Sequence, residues 1–425
     1  MTTWIDADKV AEYLQPGMTV FVAGATAEPG LILDALRNNP ACCAGIRFVS
    51  VSVPGINKVD FAAFHEDCRS TAFFATPDNR DAIAAGRVDF VPLQYRSIFD
   101  YLAGEISFDL VLAQLPAPDN NGRFSLGVCA DFLPAVLDNA KLLIGEINRQ
   151  QPRAADSPTW PLSRLDVAVE CDRPVATVTE ASIDQAAIDI GRHVAELIRD
   201  GDCLQIGIGG VPNAILAALN DRNDLGIHSG LVSDGVMALA STGNINGKNK
   251  SVDTGRIVTG TTLGSSQLID WAGNNAKLSF RPVSYTHDVG VIRQLDNFVS
   301  INSALEVDLF GQVNADMLHG RQQSGTGGSI DMMRAAALSR GGRSIIALKA
   351  TAAGGSRSRI VATLSHDTAA TILRTDVDYV VTEYGTRRIR HLSTIARADA
   401  LAEIAAPQYR DSVRDDWTRL SLHRN

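Results

Sequence analysis

Residues 203–216 read CLQIGIGGVPNAIL, and this stretch decides the fold. It begins with an apolar run that is typical of a buried strand. A turn follows at Gly207, Gly209 and Gly210. Pro212 then falls in the first turn of a helix, where the N–H that proline lacks would have no partner anyway. A buried strand that leads through a glycine turn into a helix indicates an α/β protein.

The same order of strand, loop and helix recurs along the chain. TVFVAG (19–24) precedes AEPGLILDAL (27–36), DLVLAQL (109–115) precedes a polar loop, and KLLIGEIN (141–148) precedes a proline-rich stretch. Alternation of this kind favours parallel sheets that are covered by helices on both faces.

The length of 425 residues predicts two domains, each with its own core. Four prolines interrupt any long element between residues 150 and 180, so this segment is expected to wrap between the domains. Ser182 and Gln185 then stand at the spacing of a capping box, which predicts the start of a helix. We therefore expect an N-terminal α/β domain over residues 1–181 and a C-terminal α/β domain over residues 182–425.

Composition excludes several classes of protein. Apolar residues make up 45% of the chain and charged residues 20%, as in ordinary globular proteins. The net charge of −9 is spread along the sequence, which argues against a nucleic-acid surface. The chain has no apolar run approaching the roughly 18 residues of a membrane span, and its six cysteines lack the spacing of a disulfide framework. A cytoplasmic protein without a nucleic-acid or membrane partner is expected.

Glycine-rich loops are the first candidate binding features. The turn at 207–210 leaves backbone N–H groups bare near a helix N-terminus, where they can hold an anion or the oxygen of a polarised thioester carbonyl. Similar loops follow at SGTGGSID (324–331) and TAAGGSRSRI (351–360). Three such loops in one domain predict close backbone approach to a ligand such as a pantetheine arm. The alternative is three ordinary tight turns.

Titratable residues give less specific indications. Glu306 and Asp308 alternate along a predicted half-buried strand, where a carboxylate must be paired or have a perturbed pKa. Glu306 is therefore a candidate for catalysis and equally for a structural ion pair. His228 and His287 lack the neighbours of a metal site, so a structural or substrate-orienting role is expected for both. The sequence has neither a Gly-x-Ser-x-Gly motif nor a Walker-type lysine loop.

Longer segments carry a family resemblance over nearly the whole chain. They are PDNNGRFSLG (118–127), GEINRQQPR (145–153), QIGIGGVPNAIL (205–216), GIHSGLVSDG (226–235), INSALEVDLFGQVNAD (301–316), SGTGGSIDMMRAA (324–336), GGRSIIALKATAAGGSRSRIV (341–361) and VTEYGTRRIR (381–390). These segments resemble the acetyl-CoA hydrolase/transferase family, in the branch that includes 4-hydroxybutyrate and itaconate CoA-transferases. The resemblance implies a homodimeric enzyme with two open parallel-sheet α/β domains of the class I CoA-transferase type, and an active site in the cleft between them.

The resemblance also implies a reaction. CoA would pass from an acyl-CoA donor, succinyl-CoA or acetyl-CoA, to a small carboxylic acid such as itaconate, succinate or 4-hydroxybutyrate, without a metal. A glutamate of the enzyme would carry CoA as a thioester between the two half-reactions. The alternatives are an acyl-CoA hydrolase and a CoA-binding protein without turnover. The positions that would contact CoA and the developing oxyanion are Leu204, Gln205, Ile206, Gly207, Ile208, Gly209, Leu305 and Gly328.

One position departs from the family's pattern. The family's glutamate corresponds here to Gly230, in HSGLVSDG, and a glycine cannot form a thioester. Glu28 and Glu306 are the candidates to replace it, with Asp60 and Glu66 as further alternatives. Glu28 lies in a loop that follows an apolar strand, and such loops bind ligands in parallel-sheet folds. Glu306 adjoins a position that contacts CoA in relatives.

Arg357 gives an indication of the substrate. It follows the turn at Gly354 and Gly355, where relatives generally have a smaller uncharged residue. A guanidinium in the acyl pocket could hold a second carboxylate through a fork of two hydrogen bonds, which predicts a dicarboxylate such as itaconate or succinate. The alternatives are that Arg357 faces solvent or binds a phosphate of CoA.

Overall fold

A computed structural model of the chain describes residues 2–179 and 181–422. The strands of its first half are β1 (Thr3–Ile5), β2 (Thr19–Val22), β3 (Arg47–Ser50), β4 (Arg69–Ala72), β5 (Val88–Phe90), β6 (Phe108–Pro116), β7 (Arg123–Ser125), β8 (Ala140–Asn148), β9 (Thr159–Pro161) and β10 (Val167–Cys171). The α-helices of this half are α1 (Gly30–Asn38), α2 (Arg80–Ala84), α3 (Tyr95–Asp100) and α4 (Leu133–Leu137).

The second half follows the same alternation. Its strands are β11 (Cys203–Ile206), β12 (Gly226–His228), β13 (Leu231–Val232), β14 (Ile257–Thr259), β15 (Thr261–Thr262), β16 (Leu278–Phe280), β17 (Phe298–Ser303), β18 (Glu306–Asp308), β19 (Val313–Asn314), β20 (Met317–Leu318), β21 (Arg321–Gln322), β22 (Arg343–Ala347), β23 (Thr351–Ala352), β24 (Arg357–Ser358), β25 (Ile360–Val361), β26 (Tyr379–Thr382) and β27 (Gly385–Arg388). Its α-helices are α5 (Gln185–Ala195), α6 (Gly210–Ala217), α7 (Asp234–Ser241), α8 (Ser266–Asn274), α9 (Val283–Thr286), α10 (Val289–Ile292), α11 (Ser329–Leu338), α12 (Thr394–Glu403) and α13 (Arg410–Leu422).

Eight strands of the first half form one sheet, in the order β1-β10-β8-β6-β2-β3-β4-β5. Every neighbouring pair in it is parallel. Successive side chains of β2 pack on opposite faces: Val20 and Val22 join one apolar cluster and Phe21 joins another. Both faces are therefore covered, which explains why the central strands are almost continuously apolar.

The second half builds a similar sheet, in the order β16-β14-β12-β11-β17-β22-β26-β27. All of its pairs are parallel except the hairpin of β26 and β27. The predicted fold class of two open parallel-sheet α/β units is confirmed. In each sheet the strand order reverses once, between β2 and β6 in the first and between β11 and β17 in the second.

Two local predictions differ from the structure. The helix expected from Ser182 begins at Gln185, because Asp184 is the residue that caps it: its Oδ1 accepts a hydrogen bond from the N–H of Ala187 at 3.0 Å. The proline-rich segment is also more ordered than a linker, since it contains β10, which pairs with both β8 and β1. The predicted division after residue 181 falls between the strands of the two sheets and stays a prediction.

A buried ion pair joins two strands of the second sheet. Arg343, at the start of β22, contacts Asp202, which immediately precedes β11. Their side chains are only 9% and 2% exposed, and Asp202 also accepts a hydrogen bond from the N–H of Arg199 at 2.7 Å. The pair therefore spans the edge of the sheet at which β11, β17 and β22 begin. Removing one partner would leave the other charge buried without compensation.

We predict that Arg343→Leu lowers the free energy of unfolding by about 3–5 kcal/mol, because the Asp202 carboxylate loses its buried partner. Urea unfolding measures this change. Arg340→Leu is the matched control, because Arg340 pairs with Asp296 while its own side chain is 85% exposed, so the unfolding midpoint should not move. Equal losses in both variants would contradict the prediction.

Candidate active site

A cavity of about 420 Å³ lies between the two halves of the chain. We call it the cleft. The first half contributes loops that follow β3 and β4, and the second half contributes loops that follow β11 and β12, together with Asn302 near the end of β17. All of these loops leave the carboxyl ends of parallel strands. The cleft thus occupies the position at which ligands bind in open α/β sheets, beside the reversal between β11 and β17.

A polar group forms part of the cleft at this reversal. Gln205 Oε1 accepts hydrogen bonds from Ser300 Oγ at 2.8 Å and from Asn302 Nδ2 at 3.2 Å. Gln205 and Ser300 face each other because β11 and β17 pair in that register. The sequence pointed to Gln205 alone. Ser300 and Asn302 were not candidates, although Asn302 lies in the family-like segment 301–316, because only the strand pairing brings them to the site.

The predicted CoA-binding residues divide into two groups. Five of them line the cleft: Gln205, Ile206, Gly207, Ile208 and Gly328. The other three are not among the residues that line it. Leu204 is buried within β11, and Leu305 donates its N–H to the carbonyl of Asn314 at 2.8 Å. Gly209 precedes α6 with a φ of 119°, a conformation that strongly favours glycine.

The glycine loop at 324–331 also holds the two halves together. A Cβ on Gly325 would lie less than 3.0 Å from the carbonyl oxygen of Phe73, so glycine permits this approach. The N–H of Tyr95 donates to the carbonyl of Gly327 at 3.1 Å. This loop therefore both lines the cleft and closes one side of it against the first half.

Glu28 lies outside the group of residues that line the cleft. It ends the short helical turn Ala25–Ala27, just before α1. Burial raises its pKa to about 7, against the opposing effects of Asn57 and Arg37. The neighbouring Glu146 adds to this rise. Asp60, one of the further alternatives, caps another short turn by accepting a hydrogen bond from the N–H of Ala62 at 3.0 Å, and Glu66 is exposed. A carrier role for Glu28 stays a prediction.

Glu306 has a structural partner. Its Oε2 accepts a hydrogen bond from Asn314 Nδ2 at 3.2 Å, across the pair formed by β18 and β19. It does not line the cleft either, and its catalytic role also stays a prediction.

Arg357 and its turn lie in a separate two-stranded sheet, β23 and β24. Arg357 Nη1 is 3.1 Å from His319 Nε2. Gly355 accepts a hydrogen bond from the hydroxyl of Tyr409 at 2.9 Å, and Gly354 faces open space. None of these three predicted substrate contacts is among the residues that line the cleft. Their assignment stays a prediction.

The position of the missing glutamate is filled by a histidine from elsewhere. A Cβ on Gly230 would lie 2.6 Å from Cε1 and 3.0 Å from Nε2 of His287. A Cβ on Gly328 would come within 3.0 Å of the same ring. His287 lines the cleft, whereas His228 is buried with its Nε2 3.2 Å from the carbonyl oxygen of Thr286. Of the two predicted roles, His228 has surroundings that suit a structural one and His287 has surroundings that suit contact with substrate.

A buried carboxyl group that the sequence did not mark lies behind Gly230. Asp131 is 5% exposed, and its Oδ1 has no hydrogen-bond partner. This oxygen and the carbonyl oxygen of Gly230 both lie within 2.8 Å of the point that a Cβ on Gly260 would occupy. Burial raises the pKa of Asp131 to about 8, so the group keeps its proton near neutral pH.

The cleft has no formal charge of its own. Among the described residues that line it, there is no Asp, Glu, Lys or Arg. Burial lowers the pKa of His287 to about 3, so this imidazole is neutral as well. The groups available to a ligand are therefore backbone amides, hydroxyls, side-chain amides and one neutral imidazole.

No metal site was found in residues 2–179 and 181–422, where no three His, Cys, Asp or Glu side chains come together as ligands. In the same part of the chain, no helix has the length and apolar character to cross a membrane.

Comparison with known proteins agrees with this geometry. The sequence matches the acetyl-CoA hydrolase/transferase N-terminal domain over residues 2–180 and the C-terminal domain of the same family over residues 264–417. It is 35% identical over 416 residues to 4-hydroxybutyrate coenzyme A transferase of Clostridium kluyveri, which covers 98% of this chain and 97% of the relative. It is also 35% identical over 350 residues to succinyl-CoA:cyclohexane-1-carboxylate CoA transferase of Geobacter metallireducens, covering 82% and 80%.

A solved structure shares the fold. The 4-hydroxybutyrate CoA-transferase of Porphyromonas gingivalis superposes with a TM-score of 0.82 at 32% identity, covering 98% of this chain and 97% of that one. Two open parallel sheets with a glycine-lined cleft at their carboxyl ends, together with these matches, define an enzyme of the CoA-transferase class. The chain belongs to the acetyl-CoA hydrolase/transferase family. Because these relatives are named as transferases, transfer is better supported than hydrolysis, and CoA is the co-substrate.

We predict that Asp131→Asn stabilises the protein at alkaline pH. In the native wild-type protein the Asp131 carboxyl keeps its proton up to about pH 8. In the unfolded chain the same carboxyl loses its proton near about pH 4. Wild-type stability should therefore fall as pH rises through this window. The variant has no proton to lose, so its Tm should match the wild type near pH 4 and exceed it by at least about 2 °C at pH 8.5.

Thermal unfolding of both proteins across this pH range checks the expectation. Glu66→Gln serves as the control, because it neutralises an exposed carboxylate and should leave the Tm unchanged at each pH. A Tm difference for Asp131→Asn that does not vary with pH would show that the Asp131 carboxyl is not held protonated.

Proposed function

We propose that this enzyme transfers CoA between a short acyl-CoA, such as acetyl-CoA, and a small acid with a single carboxylate, such as 4-hydroxybutyrate. The observation that carries the proposal is the uncharged lining of the cleft, in which the described residues offer hydrogen bonds and apolar contact but no ion-pair partner. The name of the Clostridium kluyveri relative supports the same class of acid.

The physical reason concerns the fate of each carboxylate. The reacting carboxylate of the acceptor becomes a neutral thioester, and the donor acid is released as a carboxylate. One negative charge is therefore always part of the reaction. A second carboxylate, as in succinate or itaconate, stays ionised throughout. Burying it without a cationic partner costs several kcal/mol. The cleft therefore favours singly charged acids.

Dicarboxylates remain the second candidate class because of Arg357. Succinyl-CoA would then be the donor, with itaconate or succinate as acceptor. This alternative needs Arg357 to leave His319 and enter the acyl pocket, since its guanidinium lies outside the residues that line the cleft.

We further propose how CoA is held. The residues that we assign to it are those predicted positions that line the cleft: Gln205, Ile206, Gly207, Ile208 and Gly328. Gly207 lies three residues before α6, and Gly328 immediately precedes α11. The unpaired N–H groups of these helix termini can serve the thioester oxygen.

The expected result with purified protein is that acetyl-CoA forms a new acyl-CoA with 4-hydroxybutyrate or butyrate. We predict a kcat/KM for succinate and itaconate at least about tenfold lower, because even about 1.4 kcal/mol of unpaired burial has that effect. Chromatography of the acyl-CoA products measures each rate. Arg357→Ser is the matched variant, and it should leave the order of acids unchanged.

Two results would contradict the proposal. Release of free CoA at the same rate without any acid would make the protein a hydrolase. A preference for itaconate that is lost in Arg357→Ser would instead support the dicarboxylate class.

We also infer that the two-domain enzyme works in the cytoplasm as a homodimer, as the family resemblance implies. The six cysteines support a reducing compartment, because all are free thiols in the structure and five of them are buried. Sedimentation of the purified protein should give twice the mass of one chain, and a monomer would contradict the inference. Cell fractionation tests the location.

A further inference from the structure

Transfer through an enzyme-bound thioester needs a protein carboxylate that reaches the carbonyl carbon of the substrate. The described residues that line the cleft include none. Asp131 is near Gly230, but it lines an adjoining cavity of about 20 Å³ that shares Val53 and Tyr95 with the cleft. This cavity has room for about one water and not for an acyl group. Glu28 and Glu306 line neither cavity. The acceptor acid, which has to enter the cleft itself, is therefore the candidate to start the exchange.

His287 stands where such a protein group would be expected. Its ring is seated between Gly230 and Gly328, two positions at which a Cβ would collide with it. On a third side the ring of Tyr95 packs against it, with 4.8 Å between the ring centroids. The imidazole is 4% exposed, and it reaches the surface of the cleft. Packing against these neighbours therefore fixes the position of the imidazole.

The hydrogen bonds of His287 leave one nitrogen for a ligand. Nδ1 is 3.0 Å from Oγ1 of Thr286. The same hydroxyl also lies 3.4 Å from the carbonyl oxygen of Pro282, which is the longer of its two contacts. When the hydroxyl donates to the nearer Nδ1, the single proton of the neutral ring is on Nε2. Among the described residues, no group hydrogen-bonds to Nε2, which faces Gly230 and Gly328. In this tautomer the ring presents an N–H donor beside the missing glutamate's position.

We propose that His287 is a catalytic residue of this chain, whose Nε2–H donates a hydrogen bond to the acyl oxygen of the donor thioester while the acceptor's own carboxylate attacks the carbonyl carbon. This inference rests on the proposed function, because it requires an acyl-CoA and a free acid to occupy the cleft together.

The two steps balance without any group outside the substrates. In the first, a C–O bond forms and the C–S bond breaks, so CoA leaves as a thiolate and the two acids are joined as an anhydride. In the second, the thiolate attacks the acceptor's carbonyl carbon, the C–O bond breaks and the donor acid leaves as a carboxylate. One negative charge is conserved and no proton moves.

This conservation of charge explains why a neutral donor suits the reaction. Each tetrahedral intermediate places negative charge on an acyl oxygen, and a fixed N–H donor stabilises it without giving up its proton. A carboxylate in the same place would instead repel both the acceptor and the thiolate.

The first test uses the wild-type enzyme with acetyl-CoA and butyrate. Initial rates over a grid of both concentrations should give intersecting double-reciprocal lines, because both substrates must be bound before reaction. Incubation with acetyl-CoA alone should leave the intact mass of the protein unchanged. Parallel lines together with a protein that has gained CoA would overturn the inference while leaving the proposed function in place.

The second test uses variants of the ring. His287→Ala should lower kcat by about 10²–10³-fold, the usual effect of removing one oxyanion donor. His287→Gln keeps an N–H donor and should recover part of that loss. His366→Ala, at an exposed histidine outside the cleft, should equal the wild type. Wild-type kcat in His287→Ala would overturn the catalytic role. Thermal unfolding confirms that each variant is folded, and the wild-type measurements stand even if one is not.

Failure of the proposed function gives a different result. An enzyme that releases CoA from acetyl-CoA at the same rate without butyrate overturns both proposals at once. An enzyme that transfers CoA but becomes labelled on Asp131, Glu28 or Glu306 overturns only the direct transfer.

Discussion

The single constraint on which the site depends is the reversal of strand order in each parallel sheet. At such a reversal, the loops that leave neighbouring strands diverge and cannot cover the gap between them. In the second sheet this gap lies between β11 and β17, and Gln205, Ser300 and Asn302 border it. The carboxyl ends of the first sheet face the same gap through the loops after β3 and β4. The topology of the sheets therefore sets the position of the cleft, and the residues of the loops set its chemistry.

Missing side chains shape the cleft as much as those that are present. Gly325 lets the backbone at Phe73 approach, so the two halves meet closely. Gly230 and Gly328 admit the ring of His287, and Gly260 admits the carboxyl of Asp131. At each of these positions a single methyl group would collide with a buried neighbour. Substitutions at these glycines are consequently costly for packing reasons, since interiors are close-packed and yield little.

Burial without compensating charge sets the electrostatic character of the site. The carboxyl of Asp131 and the imidazole of His287 have pKa values shifted in opposite directions, yet both shifts favour the neutral form and have the same cause, which is loss of water. The result is a pocket in which polar groups are available and formal charges are not. Such a pocket suits a reaction in which one negative charge passes among the substrates, because no charged side chain in the lining attracts or repels that charge.

The sequence by itself determined the α/β class, the glycine turns and the family, because these depend on local patterns: apolar runs, helix starts and long ordered motifs. It predicted that Gln205 to Ile208 contact CoA, and these residues line the cleft, since a turn after a buried strand is a local feature. Their contact with CoA stays a prediction. Only the tertiary structure decided that β10 joins a sheet and that Asp184 caps α5. It also decided that His287 and Asn302 line the cleft and that Asp131 lies behind Gly230, while Glu28, Glu306 and Arg357 do not line the cleft. The reason is that parallel strands pair across long stretches of chain, so the neighbours of a loop are set by register and not by sequence separation.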